Sequence, residues 1–228
     1  MPEVVLFDLD ETLINRTESI QRYAERFQGD FNDALVATSG VMIADAIIAA
    51  DERGYRPREA LFAALRQSLG WLRTPDIICL QKHWNKRFPL SSVARQGLEE
   101  TLMALTAMGI RLGVVTNGVV HRQQDKIEHL KIGHYLSTVV ISEAVQINKP
   151  DPRIFALALN EMNCRPSGAW FVGDHPVNDV FGASAAGLRP IWLSGVHAWP
   201  EGHPLPQDQI SSLIEVVQMV QQANDPEA

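Results

Sequence analysis

The apolar positions of this chain fall into two rhythms. Val4, Val5, Leu6 and Phe7 form an unbroken apolar run, the pattern of a short strand buried on both faces. From Asn15 the spacing becomes helical. In TESIQRYAERF, Ile20, Tyr23, Ala24 and Phe27 share one face, with Thr17 as the expected N-cap. VMIADAIIAADERG reads as a more apolar helix ended by Gly54, and PREALFAALRQSLG as one that starts after Pro57 and stops at Gly70. DIICLQKHWNKRF reads as a fourth helix, closed by Pro89. No strand pattern interrupts residues 15–90.

Past this block, strands and helices alternate. GLEETLMALTAMG is helical, IRLGVVT a β-branched strand, HRQQDKIEHLKIG helical and STVVIS a short strand. DPRIFALALNEMN is helical, GAWFVG a strand, VNDVFGASAAG helical, RPIWL a strand and QDQISSLIEVVQMVQQA the last helix. This alternation predicts an α/β fold: a Rossmann-like, three-layer core whose parallel sheet is covered by helices on both faces. Residues 1–14 and 91–228 form that core domain, and residues 15–90 form an all-helical domain inserted after its first strand.

Composition narrows the field. The chain has 228 residues, 46% of them hydrophobic, which is ample for a packed core. Net charge is −7, so the basic surface that nucleic acid requires is absent. The helical block carries eleven Lys and Arg against nine Asp and Glu, whereas the remainder carries nine against eighteen. Cys79 and Cys164 stand far apart without metal-type spacing, which suits a reducing compartment. The first strand leaves no room for a leader peptide, and no apolar run reaches the ~18–20 residues of a membrane span. A cytoplasmic protein, monomeric or homodimeric, is expected.

Open parallel sheets bind ligands at the carboxyl ends of their strands. There the first strand delivers Asp8 and Asp10, IRLGVVTNG delivers Thr116, Asn117 and Gly118, and AWFVGDHPVND delivers Asp174 and Asp179. The loop AVQINKPDPRIF delivers Lys149, with Asp151 as an N-cap and Pro152 as the first helical residue. Carboxylates gathered at one point repel; at an effective dielectric of ~20 a close pair costs roughly 4 kcal/mol. A hard divalent cation removes that conflict, and oxygen-only ligands favour Mg²⁺ over zinc. A phosphoryl group suits the remaining contacts, Thr116, backbone N–H groups, Lys149 and the metal. One aspartate would then attack, and another would give and take a proton.

DLDETL, VVTNG, NKPDPRIF and GDHPVNDVFGASAAG, in this order, resemble the four motifs of the haloacid dehalogenase superfamily, and the similarity spans the sheet domain. The helical insert resembles the cap of the phosphoglycolate-phosphatase-like branch. The resemblance implies that Asp8 is the nucleophile that becomes an aspartyl-phosphate. It makes Asp10 the general acid/base, with a backbone carbonyl that also ligates the metal, and Asp174 the remaining acidic Mg²⁺ ligand. Thr116 and Lys149 match the phosphate-binding pair, Asn117 accompanies them as a substrate-binding residue, Thr12 braces the nucleophile loop and Asp179 is a supporting carboxylate. The implied activity is Mg²⁺-dependent hydrolysis of a small phosphorylated metabolite.

A sugar phosphomutase shares these core residues. A phosphorylation switch resembling a response-regulator receiver also uses acids, a Thr and a Lys, but its acceptor aspartate ends the third strand of a much smaller domain. A dehalogenase is disfavoured, because that branch lacks an acid at the Asp10 position. Among the other charged residues, Arg16, Arg22, Arg26, Arg53, Arg56 and Arg58 read mostly as solvated helix charges, with one or two left as candidates to face substrate. His175 reads as an exposed loop residue, and GVHAWPEGHPLP as a Pro-rich loop.

Overall fold

The computed structural model describes residues 1–224. After β1 (Val4–Phe7) the chain enters four helices, α1 (Arg16–Asp30), α2 (Gly40–Asp51), α3 (Arg58–Ser68) and α4 (Ile77–Arg87). It continues through α5 (Leu98–Ala107), β2 (Arg111–Thr116), α6 (Val120–His129), β3 (Leu136–Ile141), α7 (Ser142–Val145) and α8 (Pro152–Glu161). The last elements are β4 (Ala169–Gly173), α9 (Gly182–Ala185), β5 (Arg189–Leu193), β6 (Gln209–Ile210) and α10 (Ile214–Asn224). Two compact units result, one comprising Met1–Ile14 with the chain from Ala94 onward, the other Asn15–Val93.

The first unit is built on six parallel strands in the order β3-β2-β1-β4-β5-β6. Because side chains alternate across a strand, Val5 and Phe7 join one core with Leu98, Leu102 and Leu105 of α5 and Val216, Val217 and Val220 of α10. Val4 and Leu6 join the opposite core with Ile154, Phe155, Ala158 and Leu159 of α8. Both faces are covered, so the fold is the expected three-layer parallel α/β arrangement. The chain leaves β1 toward β2 and β3, then crosses back to β4 and β5. The reversal sits between β1 and β4, where open sheets form a ligand crevice.

The second unit is all-helical. Its core holds Ile20, Tyr23, Ala24 and Phe27 of α1, Ile43 and Ile47 of α2, Leu61 and Phe62 of α3, and Leu80 and Trp84 of α4. It extends to Val93 because that residue's carbonyl accepts from Asn15 N at 2.9 Å and its N–H donates to Ser19 Oγ at 2.9 Å. Asn15, rather than Thr17, caps α1, its side chain accepting from Glu18 N at 3.1 Å. Arg16 and Arg58 depart from the solvated pattern. Both bind Asp51, which is fully buried, at 2.8 and 2.7 Å.

Two further local differences have clear causes. The last helix starts later than its apolar spacing suggests. Gln209 and Ile210 pair with Trp192 and Leu193, and the Glu215 carboxylate accepts from Ser211 N and Ser212 N, delaying the helix until Ile214. The helix after β4 opens with a wide π-type turn over Pro176–Phe181 and becomes α-helical only at Gly182. Among the described residues, no helix is long and apolar enough to cross a membrane.

Candidate active site

Asp8 is the first residue beyond β1, held against the neighbouring strand by donation from its N–H to Val172 O at 2.9 Å. Asp174 follows β4 directly, and Asp179 comes from the π-type turn beyond it. Side-chain oxygens of Asp8, Asp174 and Asp179 all lie within 4.8 Å of one another, and all three residues are buried. Gly173 makes this possible. A Cβ on that residue would stand 2.4 Å from Asp179 Cβ, so any side chain there would expel the carboxylate.

Lys149 supplies the counter-charge. Its buried Nζ donates to Asp8 Oδ1 and to Asp179 Oδ1, each at 2.6 Å. Thr12 donates to Asp174 Oδ1 at 2.9 Å, and His197 Nε2 lies 3.3 Å from Asp174 Oδ2. Asp179 Oδ2 accepts from His175 N at 2.9 Å. His175 is half-buried rather than exposed, because its ring Nδ1 accepts from Val177 N and Asn178 N and so caps the π-type turn.

One ammonium among three buried carboxylates leaves a charge deficit. Burial pushes the Asp8 carboxyl up to about 7; Lys149 opposes this, while Asp179 and Asp10 add to it. Burial, with repulsion from Asp179 and Asp8, lifts Asp174 to about 9 against the pull of Thr12 and Lys149. Burial disfavours the Lys149 ammonium, but Asp179 and Asp8 outweigh that and raise its pKa. A cluster of hard oxygen donors with excess negative charge suits a divalent cation such as magnesium, and Asp8, Asp174 and Asp179 are the residues that could hold it.

Asp10 takes a different direction. Its carboxylate accepts from Lys126 Nζ at 2.6 and 2.8 Å and from Gln123 Nε2 at 3.1 Å. Its side chain is therefore engaged apart from the carboxylate trio, near enough to Asp8 to raise that group's pKa. Thr116, buried at the end of β2, accepts from Gln123 Nε2 at 2.8 Å. Asn117 uses its whole amide on the Lys149 backbone, donating to Lys149 O at 3.0 Å and accepting from Lys149 N at 2.8 Å. Its side chain thus fastens the loop that carries Lys149.

Gln123, Lys126 and His197 are the residues that sequence reasoning missed. A signal for the first two exists: Gln123, Lys126, Ile127 and Leu130 fall at i, i+3, i+4 and i+7, placing two polar residues on the core-facing stripe of α6. His197 has no comparable signal. Together, the strand ends and the loop before α8 bring a buried carboxylate at Asp8, a second carboxylate two residues on, a buried ammonium and a hydroxyl into one region.

Residues 5–193 match the family described as haloacid dehalogenase-like hydrolase. A phosphoserine phosphatase of Thermus thermophilus is 40% identical over 108 residues, covering 47% of this chain and 42% of that protein. The match therefore spans under half the length of that relative. A glyceraldehyde 3-phosphate phosphatase of Methanothermobacter thermautotrophicus is 30% identical over 207 residues, covering 85% of this chain and 86% of the relative. Among solved structures, the HAD-hydrolase YfnB from Bacillus subtilis bound to magnesium superposes with a TM-score of 0.75 at 19% identity, covering 96% of this chain and 98% of that one.

Proposed function

This chain belongs to the haloacid dehalogenase-like hydrolase family, and from that membership we propose that it hydrolyses small phosphomonoesters with Asp8 as nucleophile, Asp10 as general acid/base and Mg²⁺ as cofactor. The observation that carries this reading is the Asp8–Lys149–Asp179 ion-pair chain beside Asp174, at the switch point between β1 and β4.

Asp8 attacks phosphorus while the bond to the leaving oxygen breaks, and Asp10 delivers its proton to that oxygen. The products of this step are the alcohol and a phosphoryl group esterified to Asp8. Asp10, now ionised, takes a proton from water, which attacks the same phosphorus. Inorganic phosphate leaves and the Asp8 carboxylate is restored. The Thr116 hydroxyl and the Lys149 ammonium hold phosphoryl oxygens throughout, where charge spreads in the transition state. Asp8, the Asp10 carbonyl and Asp174 would hold the magnesium ion. When bound, that ion neutralises the acids and draws charge from the transferring phosphoryl group.

The helical unit, Asn15–Val93, is inferred to choose the substrate, from its resemblance to a cap. Phosphoserine and glyceraldehyde 3-phosphate, the substrates in the two relatives' names, are both three-carbon phosphomonoesters. A screen should therefore set such compounds beside larger sugar phosphates, nucleotides and phosphoglycolate, with and without Mg²⁺. Mg²⁺-dependent release of phosphate, fastest from a small ester, supports the reading. Release from none of them, with a folded protein and Mg²⁺ present, contradicts it.

A further inference from the structure

Gln123 and Lys126 are a buried polar pair with no part in the chemistry derived above. They sit three residues apart on α6, so their side chains leave one face of the helix. Gln123 is 2% and Lys126 4% exposed, and a lysine that buried is rare unless it is paired. Lys126 Nζ touches both Asp10 oxygens, at 2.6 and 2.8 Å, and also donates to Gln123 Oε1 at 2.7 Å. That last bond fixes the Gln123 amide with its oxygen toward Lys126. Its Nε2 is thereby aimed at Asp10 Oδ2, 3.1 Å away, and at Thr116 Oγ1, 2.8 Å away.

We propose that Gln123 and Lys126 are positioning residues, a clamp from α6 that fixes the rotamer of Asp10 and orients the Thr116 hydroxyl for the phosphoryl group. The inference rests on the phosphohydrolase reading and names residues that reading does not use. Contact at both Asp10 oxygens fixes the carboxylate plane more firmly than a single bond would. Gln123 donates into the Thr116 oxygen, so the Thr116 hydrogen points elsewhere; it goes to Asn117 O at 3.4 Å, a long bond that a phosphoryl oxygen can displace. The clamp also accounts for Gly118. A Cβ there would lie 2.9 Å from Gln123 Cδ, so a side chain at 118 would push the glutamine away from both partners. Displacing a catalytic group by about 1 Å can cost on the order of 10²-fold in rate.

The test is a double-mutant cycle between Lys126→Met and Asp10→Asn, with p-nitrophenyl phosphate and saturating Mg²⁺. In the wild-type background Lys126→Met should lower kcat by roughly 10–10²-fold with KM nearly unchanged. In the Asp10→Asn background it should cost almost nothing further, because a positioning residue has nothing left to position. An equal loss in both backgrounds would overturn the clamp while leaving the phosphohydrolase reading intact. Wild-type turnover by Asp10→Asn alone would overturn the acid/base assignment, and the clamp with it. Lys126→Gln keeps the polar stem and takes the same place in the cycle should the methionine variant fail to fold.

Discussion

The Lys149 ammonium stands 2.6 Å from the Asp8 carboxylate, joining positions 141 residues apart in the chain. Asp8 is delivered by the central strand and Lys149 by the loop before α8, so the contact exists only once the sheet is assembled. Lys149 also reaches Asp179 at the same distance, and neither acid has that ammonium to itself. Burial, with repulsion from Asp179 added, leaves Asp8 raised to about 7 despite a direct ion pair.

Lys149→Met should therefore lower kcat/KM by roughly 10²–10³-fold, the scale on which loss of one transition-state donor is felt. Lys149 holds the Asp8 pKa down, so its removal should also move the acidic limb of the pH–rate profile to higher pH. Steady-state rates from pH 5 to 9 test both effects. An acidic limb that stays in place would separate Lys149 from Asp8 ionisation.

EDTA should abolish activity and Mg²⁺ restore it, with Ca²⁺ a poor substitute because it accepts looser, higher coordination. Asp174→Asn should raise the half-saturating Mg²⁺ concentration at least about 10-fold, since even outer-shell changes weaken metal sites on that scale. Titration of activity against Mg²⁺ gives the answer. An unchanged Mg²⁺ requirement in the variant would remove Asp174 from the ligand set.

The raised Asp174 pKa carries a stability signature. Its carboxyl moves from 3.8 to about 9 on folding, so the folded state holds the proton more tightly. That contribution is fully present below about 4 and is lost as pH rises toward 9. In EDTA, Asp174→Asn should melt close to wild type near pH 4 and progressively above it as pH increases. Melting temperatures of the two proteins across that window test the sign, and a variant whose advantage shrinks with pH would refute it.

In the helical unit, Asp51→Asn strands Arg16 and Arg58 beside a neutral amide in a buried site. Breaking a buried ion pair from one side costs about 3–5 kcal/mol. Urea unfolding followed by tryptophan fluorescence should show a loss of that order. A loss within 0.5 kcal/mol, about the spread of neutral surface changes, would mean that water takes the place of Asp51.

The strand ends were legible because their signals are local. An unbroken apolar run such as Val4–Phe7 needs no distant partner to be read as a buried strand, and acids directly after it stand out. Thr116, Lys149 and Asp174 are found in the same way, by asking what each strand or its following loop delivers. Gln123 and Lys126 escaped because HRQQDKIEHL is polar enough to pass for a solvated face, while their partner Asp10 lies over a hundred positions away. The two-residue strand β6 escaped because it is defined by pairing with β5 rather than by any apolar period of its own. Arg16 and Arg58 read as helix charges because their convergence on the buried Asp51 arises only from the packing of α1, α2 and α3.

The central claim is that Asp8 carries the phosphoryl group, and trapping tests it most directly. The protein is acid-quenched during turnover of a small phosphomonoester with Mg²⁺, and any acyl phosphate is reduced with borohydride. Peptide mass spectrometry then locates the modified residue. Homoserine is expected at position 8, formed only when substrate and Mg²⁺ are both present, with no turnover by a folded Asp8→Asn variant. Homoserine at another acid, or undiminished hydrolysis by Asp8→Asn, would contradict it.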